Sequence, residues 1–160
     1  MVVVIMGVSG SGKTTVGSAL AEAIHGRFVD ADDFHPTANI DKMRAGQPLT
    51  DVDRAPWLRE LRAHIDAWLD DQAVVVLACS ALTEKAREIL GTTREGVKLI
   101  FLKGSKALIE ARMRERDHFM PTNLLESQLA TLEPPEQALE LDVNEPPDAL
   151  VTRIRRHLSG

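Results

Sequence analysis

Gly7-Val8-Ser9-Gly10-Ser11-Gly12-Lys13-Thr14 decides the reading of this 160-residue chain. Its spacing is G-x-x-x-x-G-K-[ST], the phosphate-binding P-loop pattern. Ahead of it, Val2-Val3-Val4-Ile5-Met6 is an apolar, β-branched run that predicts a buried strand. Behind it, Val16, Ala19, Leu20, Ala23 and Ile24 recur at helical spacing, and Gly26 supplies a stop. Strand, glycine-rich loop and helix follow in the order a P-loop needs. Glycines let backbone N–H groups approach phosphate oxygens, and the helix N-terminus adds about half a positive elementary charge. The expected nucleotide contacts are Gly7, Ser9, Gly10, Ser11, Gly12, Lys13, Thr14 and Thr15, with Lys13 on the β- and γ-phosphates and the Thr14 hydroxyl on Mg²⁺. The first expectation is an α/β protein that uses a nucleoside triphosphate.

Composition narrows the classes. A hydrophobic fraction of 44% and a charged fraction of 27% are ordinary for a globular chain, and the length fits one domain over residues 1–160. The formal net charge of −5 argues against nucleic acid as a partner, because such a partner wants a basic face. The single cysteine, Cys79, excludes an internal disulfide and fits a reducing cytoplasm. No signal-peptide pattern opens the chain, and the longest apolar run, at 73–82, is too short to cross a bilayer.

The rest of the chain alternates strands and helices. Strands are predicted at 28–30, 73–78, 97–102 and 138–143. The run at 73–78 lacks alternation, as a strand buried on both faces would. A short helix is expected at 37–45, then a polar loop at 47–54. Pro56 is expected to open the next helix, with Trp57, Leu58, Leu61, Ile65, Trp68 and Leu69 on its core stripe. Further helices are expected at 83–90, after a Ser105 cap, after an Asn123–Glu126 capping box, and from Pro147. This order predicts a parallel sheet covered on both faces, with ligands at the carboxyl ends of its strands.

Chemistry is therefore sought just past each strand. Asp30, Asp32 and Asp33 follow the second strand, with His35 close behind. Asp32 is the candidate to accept a proton from a substrate hydroxyl, or to help hold Mg²⁺ through water. Asp33 reads as a solvated turn residue. The third strand ends in Cys79-Ser80 with no acid, so the Walker B aspartate of many P-loop proteins is missing and Cys79 reads as a buried spectator. Arg112, Arg114, Arg116 and His118 form a basic cluster ahead of Met120-Pro121. Arg112 and Arg116 share a helix face at i, i+4 and are candidates for a lid that stabilises phosphoryl-transfer charge.

With these residues placed, the chain resembles the gluconokinases, small P-loop sugar-acid kinases related in fold to the nucleoside-monophosphate and shikimate kinases. The resemblance runs over nearly the whole length. It is carried by Asp30-Ala31-Asp32 with His35-Pro36, by Asn39-Ile40-Asp41-Lys42-Met43, by Gly46-Gln47-Pro48-Leu49-Thr50-Asp51-Val52-Asp53-Arg54 with Pro56-Trp57-Leu58, and by Cys79-Ser80-Ala81-Leu82. His118-Phe119-Met120-Pro121 and Leu132-Glu133-Pro134 add to it. The family usually has glycine where Ala31 stands, and often an aromatic residue where Ala86 stands.

The resemblance implies a three-layer α/β/α fold with a central five-stranded parallel sheet and a small lid over about 112–135. It implies ATP and Mg²⁺ as cofactors and transfer of the γ-phosphoryl group to the 6-hydroxyl of D-gluconate. Asp32, His35, Lys42, Arg54, Arg87 and His118 would contact the sugar acid, Arg112 the nucleotide, and Lys13, Asp32, Arg54 and Arg116 would be catalytic. It also implies a homodimer. Rival readings are a kinase for shikimate or a nucleotide, a GTP-dependent switch, and a non-catalytic nucleotide-binding module. The switch lacks its Asn-Lys-x-Asp guanine reader here. A base-binding pocket would want aromatic material, and this chain has no tyrosine and four phenylalanines.

Overall fold

The computed structural model describes residues 1–115 and 122–160. Arg116, His118 and Met120-Pro121 fall outside the described residues. Five strands form one sheet: β1 (Val2–Met6), β2 (Arg27–Asp30), β3 (Val75–Ala78), β4 (Val97–Lys103) and β5 (Leu139–Asp142). The spatial order is β2-β3-β1-β4-β5, and each neighbouring pair is parallel. The helices are α1 (Lys13–Ala23), α2 (Thr37–Arg44), α3 (Asp51–Asp70), α4 (Glu84–Leu90), α5 (Lys106–Glu115), α6 (Thr122–Thr131) and α7 (Pro147–Ser159), with a short 3-10 turn at Ala31–Phe34.

The period of two along a strand divides the apolar runs between two cores. Val2, Val4 and Met6 face Trp57, Leu58, Leu61 and Ile65 of α3 and Leu90 of α4. Val3 and Ile5 face Val16 and Leu20 of α1 and Leu150, Val151 and Ile154 of α7. β3 and β4 divide in the same way, Leu77 and Phe101 to one side, Val76 and Ile100 to the other. Burial on both faces is why these strands read as continuous apolar runs. A third, smaller cluster joins Val8 of the P-loop to Ile109 and Met113 of α5 and Leu125 of α6.

The expected five-stranded parallel sheet is present, but β2 does not pair with β1. β3 lies between them. Register still brings their ends together: Asp30 and Ile5 both lie opposite Ala78. Gly7, Asp32 and Ser80 consequently follow three strands that stop on one line.

Two helix starts differ from expectation. α3 begins at Asp51, not at Pro56, which lies inside it. The cause is a capping box in the stretch read as loop: Asp53 N–H donates to Thr50 Oγ1 at 3.1 Å, and Thr50 N–H donates to the Asp53 carboxylate at 2.9 Å. α6 begins at Thr122, so Asn123 is inside the helix. Ser105 caps α5 as expected, accepting the Leu108 N–H at 3.2 Å. Replacing Thr50 by Ala removes one half of the α3 box, and the expected loss is about 1 kcal/mol of unfolding free energy in a urea titration.

Candidate active site

The P-loop is built for anions and only partly satisfies itself. Gly10 and Gly12 hold left-handed φ values of 81° and 100°, which side-chain-bearing residues rarely adopt. A Cβ on Gly10 would also meet Met113 Cγ at 2.7 Å. α1 starts directly after Gly12, with no side-chain cap and no acidic residue in its first turn. Ser11 is buried, and its hydroxyl has no hydrogen-bond partner among the described residues. Lys13 Nζ turns back on the loop and donates to the carbonyls of Gly7 and Val8, both at 3.0 Å. Burial lowers the Lys13 pKa, and the carboxylate of Asp32 opposes that shift. Unspent N–H groups, an orphan hydroxyl and a movable ammonium are a donor set that fits a polyphosphate chain. Thr14 and Thr15 are exposed in the first turn of α1, where the Thr14 hydroxyl could join phosphates around Mg²⁺.

Ser9 and Lys13 open onto a cavity of about 750 Å³. Asp32, His35, Arg54 and Trp57 line it on one side, and Ser80, Gln128 and Thr131 on others. Asp30 caps the 3-10 turn by accepting the Asp32 N–H at 2.9 Å, which leaves Asp32 as the acid that faces the space. The Asp32 side chain is 70% accessible to solvent within the cleft, yet its carboxyl has a raised pKa. The surrounding protein disfavours its charge, while Lys13 pulls the other way.

His35 is held with unusual definition. Its ring stacks on Trp57 at 4.0 Å and 17°. Trp57 is thus both core and cavity wall, and its indole N–H donates to the Ala31 carbonyl at 2.7 Å. Asn39 Nδ2 donates to the Asp53 carbonyl at 2.9 Å and lies 3.2 Å from His35 Nδ1. The carbonyl fixes which end of the Asn39 amide carries hydrogens, so Nδ1 accepts and the His35 proton is assigned to Nε2. That N–H looks toward Asp32 Oδ1, 3.6 Å away. Burial lowers the His35 pKa to about 4, so the ring is neutral near pH 7.

The other expected site residues divide. Arg54 lines the cavity while donating to the Leu49 carbonyl at 2.7 Å and to Asp51 at 2.8 Å. Lys42 does not line it. Its ammonium pairs with Asp53 at 2.7 Å, and that bond with the Thr50 contacts lowers the Asp53 pKa to about 2. Arg87 is buried and donates to the carbonyls of Ala81 at 2.8 Å and Glu133 at 2.7 Å, so it braces two loops beside the cavity. Arg112 donates to the Val143 carbonyl. Arg116 and His118 lie outside the described residues. Cys79 is a spectator, its thiol pushed up to about 12 by burial.

Sequence reasoning missed Gln128, Asn39 and Arg44. Arg44 lines the cavity and has no ion-pair partner among the described residues. Asn39 had a readable signal, a buried amide in a short polar helix four residues after His35. Gln128 had only its place among the apolar residues of α6.

The buried neutral His35 makes a stability prediction. An unfolded histidine takes a proton near pH 6.5, and this one resists until about 4, so the unfolded chain binds more protons in between. Stability is therefore lost as pH falls from 6.5 to 4, by about 3 kcal/mol from this group. Urea titrations of the unsubstituted chain and of His35→Gln should differ in pH slope across that window, and equal slopes would refute the assignment.

A family model described as an AAA domain matches residues 2–135. The chain is 42% identical to a gluconokinase of Gluconobacter oxydans (strain 621H), over 98% of this chain and 90% of that protein. It is 41% identical to a solved gluconokinase structure from Sinorhizobium meliloti 1021, covering 98% of this chain and 94% of that one at a TM-score of 0.82. A solved sugar kinase from Janibacter sp. HTCC2649 is 43% identical, covering 99% and 94% at a TM-score of 0.92. P-loop geometry, strand order and full-length similarity agree: the chain belongs to the gluconokinase family of P-loop kinases.

Proposed function

We propose that this chain transfers the γ-phosphoryl group of ATP to the 6-hydroxyl of D-gluconate in the cavity between the P-loop, the 3-10 turn and α3. The observation that carries the reading is the meeting of Lys13, Asp32 and Arg54 on one cavity wall system, in a chain of this family. Each side chain has a part. Asp32, the acid that faces the cavity beside Lys13, orients the acceptor hydroxyl and takes its proton. The neutral His35 presents Nε2–H on the same side and helps hold the acceptor oxygens. Arg54 and Arg44 bring guanidinium charge to the carboxylate of the aldonate.

Lys13 exchanges the carbonyls of Gly7 and Val8 for phosphate oxygens. Gly7, Ser9, Gly10, Ser11, Gly12, Thr14 and Thr15 surround the phosphates. The Thr14 hydroxyl, and Asp32 through water, would hold Mg²⁺, which when bound supplies positive charge at the β- and γ-phosphates. Arg116 and Arg112 are assigned to the lid, and His118 to the sugar acid. Lys42 and Arg87, engaged with protein partners, act by shaping the cavity rather than by direct charge. Among the described residues no helix is long and apolar enough to cross a membrane. We place the reaction in the cytoplasm, with the homodimer that the resemblance implies.

The test is ADP release from ATP and Mg²⁺ with D-gluconate, other aldonates, shikimate, AMP or no acceptor. D-gluconate should drive release and Lys13→Ala should abolish it. Asp32→Asn should lower kcat by about 10²–10⁴-fold, the range for losing a positioned general base. Faster release with another acceptor, or none with gluconate, would overturn the substrate assignment.

A further inference from the structure

α6 is docked on the P-loop by one face. Leu125 is fully buried in the cluster with Val8, Ile109 and Met113, and Leu129 packs against it one turn on. Gln128 lies on that same face and sends its amide into the loop. Ser9 N–H donates to Gln128 Oε1 at 2.7 Å, and Gln128 Nε2 donates to Ser9 Oγ at 3.1 Å. A backbone N–H can only donate, so the amide orientation is fixed. The two bonds join positions 119 apart in sequence.

The far end of α6 is pinned separately. Glu133 N–H donates to the Leu82 carbonyl at 2.8 Å, and Glu84 N–H donates to the Glu133 carboxylate at 2.9 Å. Arg87 holds the Glu133 carbonyl at 2.7 Å. α6 is thus a strut between the phosphate loop and the loop after β3, and both bound the cavity. Ser127, Gln128 and Thr131 form its cavity-facing side. Ser9 is the loop residue that faces the cavity beside Lys13.

We propose that Gln128 is a positioning residue for phosphoryl transfer: by clasping Ser9 it sets the distance between the phosphate loop and the wall on which the acceptor rests. This rests on reading the cavity as the acceptor site. Apolar contact at Leu125 is non-directional and fixes that α6 docks, not its alignment. A paired donor and acceptor from one amide fixes both distance and rotation. In-line transfer demands such alignment, since a displacement of about 1 Å can cost about 10²-fold in rate. A misaligned wall also admits water as a competing acceptor.

The test compares Gln128→Leu, which keeps bulk and removes both bonds, with Gln128→Asn, whose amide is one methylene short, and Gln128→Glu, which keeps the acceptor for Ser9 N–H. With the full chain, gluconate phosphorylation, acceptor-free ATP hydrolysis, ATP affinity by calorimetry and Ser9 amide hydrogen exchange without ligand are measured. For Gln128→Leu and Gln128→Asn, kcat for gluconate should fall at least about tenfold and the ratio of hydrolysis to transfer should rise by a similar factor. ATP affinity should stay within about threefold, and the Ser9 amide should exchange faster. Gln128→Glu should fall between these and the unsubstituted chain, and it carries the test if Gln128→Leu does not fold. An unchanged kcat and ratio would overturn the proposal. So would a tenfold gain in ATP affinity, which would make Gln128 a competitor for the phosphate position. If the unsubstituted chain itself fails to phosphorylate gluconate, the functional reading falls instead.

Discussion

Three strand ends on one line are the constraint on which the site depends. Ile5, Ala78 and Asp30 lie side by side across β1, β3 and β2. The residues that follow them carry the P-loop, the Ser80 loop and Asp32. Register of this kind is enforced by the core, because a slip of one residue would exchange every inward side chain between the two faces. With α3 packed on one face and α1 and α7 on the other, Val3 and Val4 cannot trade places without misfitting two cores. The placement of Asp32 relative to Lys13 is thus decided by apolar packing well away from either group.

Cations in this chain serve two purposes. Arg87 and Arg112 donate to backbone carbonyls that helices and strands leave unpaired. A buried carbonyl without a partner costs about 1–3 kcal/mol, so such an arginine stabilises the loop it holds. Arg54 does both, bracing Leu49 and Asp51 while it faces the cavity. Lys42 is neutralised locally by Asp53. Among the described residues the cavity is lined by the cations Lys13, Arg54 and Arg44, so a chain of net charge −5 still presents positive groups there.

How much of this was legible in the sequence follows from how local each feature is. β1, the glycine-rich loop and α1 are one contiguous pattern, and the structure has that strand, loop and helix in that order. The parallel sheet followed from alternation of strands and helices, yet the insertion of β3 between β1 and β2 is a tertiary choice with no local mark. Pro56 misled because proline favours the first helical turn. The Thr50–Asp53 box was the stronger start signal, and the proline is tolerated inside an already nucleated helix. The protein partners of Lys42 and Arg87, Asp53 and the Glu133 carbonyl, were not legible because they become neighbours only on folding. Gln128 was illegible for the same reason, being joined to a residue 119 positions away.

The P-loop gathers several local departures from ordinary backbone satisfaction in one place. α1 has no side-chain cap, the buried Ser11 hydroxyl has no partner among the described residues, and Gly10 and Gly12 are left-handed. Thr50, Thr83 and Ser105 each accept a backbone N–H at a helix start, whereas α1, α2 and α7 begin without a side-chain cap. A buried hydroxyl, left-handed glycines and an uncapped helix start gathered in one loop fit a place kept for a ligand. They persist because β1 behind the loop is wholly buried and α6 in front of it holds Ser9 and Val8. A loop so flanked is held in shape before any ligand arrives, with the start of α1 facing the cavity. Such preorganisation, rather than any single contact, is what favours binding of a highly charged group, because less ordering remains to be done when it binds.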